Sequence, residues 1–117
     1  MAEQADIYVK NEFASDIVVT RILPDEISSD TTIPSGDEDR FYLTSHCEEK
    51  FPLVVSEELL IINAPDGVDT EDCYIIVRSS IIDLAISFSS TNWTIRIVPN
   101  ELPPEVPTSV NVTVGPL

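Results

Sequence analysis

Ile82-Asp83-Leu84-Ala85-Ile86-Ser87-Phe88 sets large apolar residues at every second position, and that period of two decides the fold class. Successive side chains of a strand point to opposite faces, so the pattern predicts a half-buried strand with one apolar face. After Ser89-Ser90-Thr91-Asn92, which is turn material, the period returns: Trp93, Ile95 and Ile97 alternate with Thr94, Arg96 and Val98. The two runs read as a hairpin whose inward residues are Ile82, Leu84, Ile86, Phe88, Trp93, Ile95 and Ile97.

The same reading extends to both ends of the chain. Val110, Val112 and Val114 alternate with Asn111 and Thr113 as a final strand. At the front, Ile7, Val9 and Phe13 face one way and Tyr8, Lys10 and Glu12 the other, and a short Ala-Ser-Asp turn leads to a strand from Ile17 to Leu23. In the middle, Phe41 and Leu43 alternate with Tyr42, and 51–55, 59–63 and 73–77 are short apolar blocks bounded by Pro, Asp, Gly or Ser. Their β-branched content and flanking breakers favour strands over buried helix. Ser56-Glu57-Glu58-Leu59 is where one helical turn fits, with Ser as N-cap and acids in the first turn. The prolines all fall at proposed strand ends or between strands. Leu102-Pro103-Pro104-Glu105-Val106-Pro107 reads as a stiff crossover into the last strand rather than as a polyproline ligand.

About nine short strands with regular turn signals predict an all-β chain, an antiparallel two-sheet sandwich broadly immunoglobulin-like in architecture. One domain over residues 1–117 is the expectation from length. The immunoglobulin order of Cys, Trp, Cys is absent, because Cys47 and Cys73 lie close together in sequence and Trp93 follows both.

Composition excludes more than it assigns. With 21 acidic and 6 basic side chains the formal charge is −15, yet 43% of residues are hydrophobic, so a folded chain is expected rather than a disordered one. A sequence pI of about 4.1 leaves no basic stripe for phosphates, which argues against nucleic acid and against anionic membrane surfaces. Met1-Ala2-Glu3-Gln4-Ala5-Asp6 lacks the basic and apolar regions of a signal peptide. The expectation is a cytoplasmic protein, with an exported domain expressed without its signal peptide as the alternative.

For catalysis the chain offers one histidine, His46, between Ser45 and Cys47. Neighbours in an extended segment point to opposite faces, so His46 is poorly placed to activate either, and no enzyme is expected. Gly36, Gly67 and Gly115 are isolated, so there is no phosphate-cradling glycine loop. If the strands alternate up and down, the connections at 45–50 and 64–72 share one end of the sandwich. Cys47 and Cys73 then form either a disulfide or two reduced thiols, the absent signal favouring thiols. A zinc site from His46, Cys47, Cys73 and a carboxylate is weaker, for want of a Cys-x-x-Cys pair.

The same parity gathers Glu48, Glu49, Asp66, Asp69, Glu71 and Asp72, and sends Asp25, Glu26, Asp30, Asp37, Glu38, Asp39, Glu57 and Glu58 to the opposite end. Asp66, Asp69, Glu71 and Asp72 are the candidate ligands for calcium, which takes six to eight oxygens, although the EF-hand order is missing. The expected function is therefore a non-catalytic structural or protein-interaction module, with a protein partner or a homo-oligomer and no cofactor. The alternative is a calcium-dependent binding module using those acidic loops. The Asn-x-Thr sequons at Asn92 and Asn111 carry meaning only in a secreted protein.

Overall fold

The computed structural model describes residues 2–23, 27–46, 58–79, 84–97 and 108–117. Strands β1 (Ala2–Asn11), β2 (Ile17–Ile22), β3 (Ser29–Ile33), β4 (Glu38–His46), β5 (Leu59–Asn63), β6 (Cys73–Ser79), β7 (Leu84–Phe88), β8 (Asn92–Ile97) and β9 (Thr108–Pro116) form two sheets. One has the order β4-β1-β9-β6 and the other β3-β2-β5-β8-β7. A 3-10 turn at Thr70–Asp72 precedes β6. Among the described residues no helix is long and apolar enough to cross a membrane.

Alternation explains the core. Ala5, Ile7 and Val9 of β1, Phe41 and Leu43 of β4, and Val110, Val112 and Val114 of β9 are buried on the inner face of the four-stranded sheet. Opposite them, Ile17, Val19, Ile33, Leu60, Ile62, Trp93, Ile95 and Ile97 are buried on the inner face of the five-stranded sheet. This is the expected all-β two-sheet sandwich, with apolar residues of both inner faces meeting between the layers.

Several expectations change. The sheets are not wholly antiparallel: β1 and β9 run parallel, with Ile7 opposite Val110 and Val9 opposite Val112. The strand order also differs from the immunoglobulin pattern, so the likeness is one of architecture alone. β3 is a strand that hydrophobic periodicity does not reveal, because Ser29-Asp30-Thr31-Thr32-Ile33 is mostly polar. Its ladder with β2 makes it a strand. The proposed strand at 51–55 lies outside the described residues, as do Ile82, the prolines from 99 to 107 and Ser56 and Glu57 of the proposed helical turn, while Leu59 begins β5.

The chain changes sheet at every connection except β2–β3 and β7–β8. Those two hairpins place β3 and β7 at the two edges of the wider sheet. The described loops converge at one end. Pro34–Asp37 and Pro65–Val68 close β-turns through Asp37 N–H to Pro34 O at 3.0 Å and Val68 N–H to Pro65 O at 3.1 Å. Each has a glycine third, Gly36 at φ 81° and Gly67 at φ 78°, as a type II turn requires.

Asn11 ties this end together. It lies on the inward phase of β1 and is wholly buried. Its Nδ2 donates to Ile33 O and Ser15 O, both at 2.9 Å, and its Oδ1 accepts from Phe13 N–H at 2.8 Å. Its main chain accepts from Gly36 N–H at 2.8 Å and donates to Asp37 O at 2.9 Å. A buried amide with its groups satisfied contributes rather than costs stability.

Candidate interaction surface

The feature that stands out among the described residues is β7. Register places Leu84 opposite Ile97, Ile86 opposite Ile95 and Phe88 opposite Trp93, so each pair shares a face. Ile97, Ile95 and Trp93 are buried, but Leu84 is half-buried, Ile86 is 37% exposed and Phe88 is 68% exposed. The expectation that Ile86 and Phe88 lie in the core is therefore corrected: they point to the inner face, but cover runs out beyond β8. Four strands span about 14 Å and five about 19 Å at the usual spacing, so the narrower layer cannot roof the wider one.

The backbone of β7 can be phased as well. Ser89 N–H donates to Asn92 O at 2.9 Å, which makes 89 and 92 a hydrogen-bonded pair. Such pairs alternate along an antiparallel ladder, so Ser87 and Ala85 direct their N–H and C=O groups at β8. Those of Leu84, Ile86 and Phe88 point to the free edge. That edge presents main-chain donors and acceptors beside the apolar side chains left uncovered.

Other edges are blunted by charge. β3 carries Asp30, β4 carries Glu38, Asp39 and Arg40, and β6 carries Arg78, whereas β7 has no charged residue. On the edge of β4, Thr44 N–H donates to Glu58 Oε2 at 2.8 Å, and Arg21 Nη2 lies 3.7 Å from the same oxygen. Charged side chains at an edge are the usual device against adventitious strand pairing.

The predicted calcium loop is organised by its main chain. Asp66, Asp69, Glu71 and Asp72 all have exposed side chains, and among the described residues no group of three or more His, Cys, Asp or Glu is arranged to hold a metal ion. Thr70 is buried, its N–H donates to Ser90 O at 2.9 Å and its hydroxyl donates to Ser89 O. Asp69 O accepts from Asp72 N–H at 3.0 Å and from the Cys73 thiol at 3.3 Å, and Asp72 O accepts from Leu117 N–H at 3.1 Å. The loop is thus fastened to the β7–β8 turn and to the C-terminal residue.

Shared-end parity does not hold. His46 pairs with Ala2 at one end of the four-stranded sheet, whereas Cys73 pairs with Pro116 at the other. The acidic partition changes with it: Asp37 lies at the Asn11 end, and Asp16 and Asp66 line one shallow surface depression there. Cys47, Glu48 and Glu49 lie outside the described residues. The Cys73 thiol is free, and burial first, then the Asp72 and Asp69 carboxylates, push its pKa up. A thiol so placed is a poor nucleophile at neutral pH.

The outer face of the four-stranded sheet is the other surface of note. Arg40, Tyr8, Asn111 and Arg78 form one row across it, each opposite the next. Arg40 grips Asp6 in a fork, with Nη2 at 2.8 Å from both carboxylate oxygens and Nε at 3.1 Å from Oδ1. Tyr74 lies across Gly115, on the neighbouring strand, and donates to Glu12. Its cations are thus largely matched by acids on the same face. Comparison with family models, with curated proteins and with solved structures finds no match to this chain.

Proposed function

We propose that this chain is a non-catalytic structural or protein-interaction module and that its working surface is the β7 edge. The observation that carries the reading is the uncharged strand Leu84–Phe88, with Phe88 68% exposed and Ile86 37% exposed beside backbone groups that no described strand pairs. Unpaired strand edges recruit further strands through main-chain hydrogen bonds, with alternate side chains supplying specificity. A chain with a formal charge of −15 keeps other surfaces apart by repulsion, so a neutral apolar edge is where approach costs least.

The experiment is site-specific photo-crosslinking in the cell of origin. A benzoylphenylalanine replacing Ser87 on β7 forms protein adducts, while one replacing Thr32 on β3 does not, and Ile86→Lys abolishes the adducts. Equal labelling from both positions overturns the reading.

A further inference from the structure

We infer that the occupant of the β7 edge is a second copy of this chain, paired β7 to β7 in antiparallel fashion about a two-fold axis at Ile86; the inference rests on the reading of that edge as the working surface. A two-fold interface must be self-complementary, since the same patch meets itself. Leu84-Ala85-Ile86-Ser87-Phe88 meets that condition. With Ile86 opposite Ile86 of the copy, Leu84 faces Phe88 and Ala85 faces Ser87, so large apolar groups oppose large ones on one face and small ones oppose small on the other.

The hydrogen-bond phase agrees. The residues whose N–H and C=O groups point to the free edge are Leu84, Ile86 and Phe88, as the Ser89–Asn92 bond dictates. In the proposed register they oppose Phe88, Ile86 and Leu84 of the copy, so every free group meets its complement, about six new bonds in all. Net charge opposes a like partner, since two chains of −15 repel, but among the four edge strands β7 alone carries no charged residue and so sets no like charges against each other when two copies pair. The apolar area from Phe88 and Ile86 is about 200 Å² per copy, well under the roughly 800 Å² per partner of a tight complex. The dimer is accordingly weak and concentration-dependent.

Sedimentation velocity on the purified chain from about 10 μM to about 1 mM, with residue-resolved amide exchange, tests it in the range a small interface allows. Expected is a reversible monomer–dimer equilibrium in which Leu84, Ile86 and Phe88 amides gain protection on concentration, while Ala85 and Ser87 amides are protected throughout. Ile86→Pro removes a donor that faces the free edge and spares the ladder with β8, so it keeps the fold and shifts the equilibrium at least tenfold towards monomer. If that variant fails to fold, Phe88→Lys, at an exposed position, decides by the same tenfold shift. A monomer at every concentration, or a dimer that survives Phe88→Lys, overturns the inference. A purified chain that stays monomeric while residue 87 still crosslinks to another protein in cells sinks the second copy and keeps the working surface; loss of both removes the proposed function too.

Discussion

β3 and β7 are the two edges of the five-stranded sheet, each five residues long and each delivered by a hairpin. On the inward phase of β3, Ile33 is buried, Thr31 half-buried and Ser29 exposed, so side-chain polarity rises as cover falls. On β7 cover falls from Leu84 through Ile86 to Phe88, and the side chains stay apolar. Asn11 also clamps the end of β3 through Ile33 O, at 2.9 Å. The pair teaches that an exposed inward position is ordinarily made polar and that β7 departs from this within the same sheet. On the proposed reading of this edge, the departure marks a surface with something to cover it, not a general looseness of packing.

Four measurements break or sharpen that contrast. The largest effect separates β8 from β7: Ile95→Ala, at a fully buried position, costs about 2 to 5 kcal/mol, whereas Ile86→Ala directly opposite costs under about 1 kcal/mol. Urea unfolding at low protein concentration reads both, and equal losses contradict the uneven cover.

Next comes the clamp on β3. Asn11→Ala strands the buried Ile33 O and Phe13 N–H, for an expected loss of about 2 to 3 kcal/mol. A loss within about 0.5 kcal/mol shows that water or rearrangement replaces the amide.

Swapping edge chemistry changes stability by no more than about 0.5 kcal/mol at exposed sites but moves association. Thr31→Ile gives β3 the character of β7 and strengthens self-association; Phe88→Thr does the reverse. Sodium chloride from about 10 mM to about 0.5 M, which shortens the Debye length, raises both Tm and association because it relieves repulsion between acidic chains. Light scattering and thermal melts check all three, and an association that weakens with salt points to ion pairing instead.

The smallest effect lies on the outer face of the four-stranded sheet, away from both edges. The hydrogen bond to Glu12, then desolvation, raises the Tyr74 phenol above its ordinary value. A raised phenol pKa favours the neutral form in the folded state, so its contribution is full below the unfolded value of about 10 and is lost as pH rises through the folded one. Tyr74→Phe therefore lowers Tm slightly at pH 7 and leaves the alkaline decline shallower. An unchanged alkaline limb assigns that decline to other groups.

Legibility followed the strength of local pattern. β1, β8 and β9 announce their faces because alternate Ile and Val must leave water, and the same alternation correctly predicts which face of β7 turns inward. β3 is silent because polar residues carry no period, and its backbone is held by a ladder with β2 that no local signal encodes. Asn11 sits in phase with Val9 and Phe13, so its burial was readable as an inward polar residue. Which carbonyls it would reach was not, since Ile33 is 22 positions away. The expectation that the 45–50 and 64–72 connections share an end counts two strands between them, at 51–55 and 59–63; 51–55 lies outside the described residues, and β5, the one described strand between them, carries the chain from one end to the other.

Side-chain alternation is a local property, fixed by pleat geometry, and it suffices to determine an all-β chain, the inward residues of its main strands and the absence of charge on Leu84–Phe88. Strand order is not local. That β1 lies parallel to β9, that β3 and β7 become edges, and that four strands face five were decided by long-range pairing, in which each layer buries what the other can cover. The exposure of Ile86 and Phe88 belongs to that second class: the residues chose their face, and the width of the opposing sheet left that face in water.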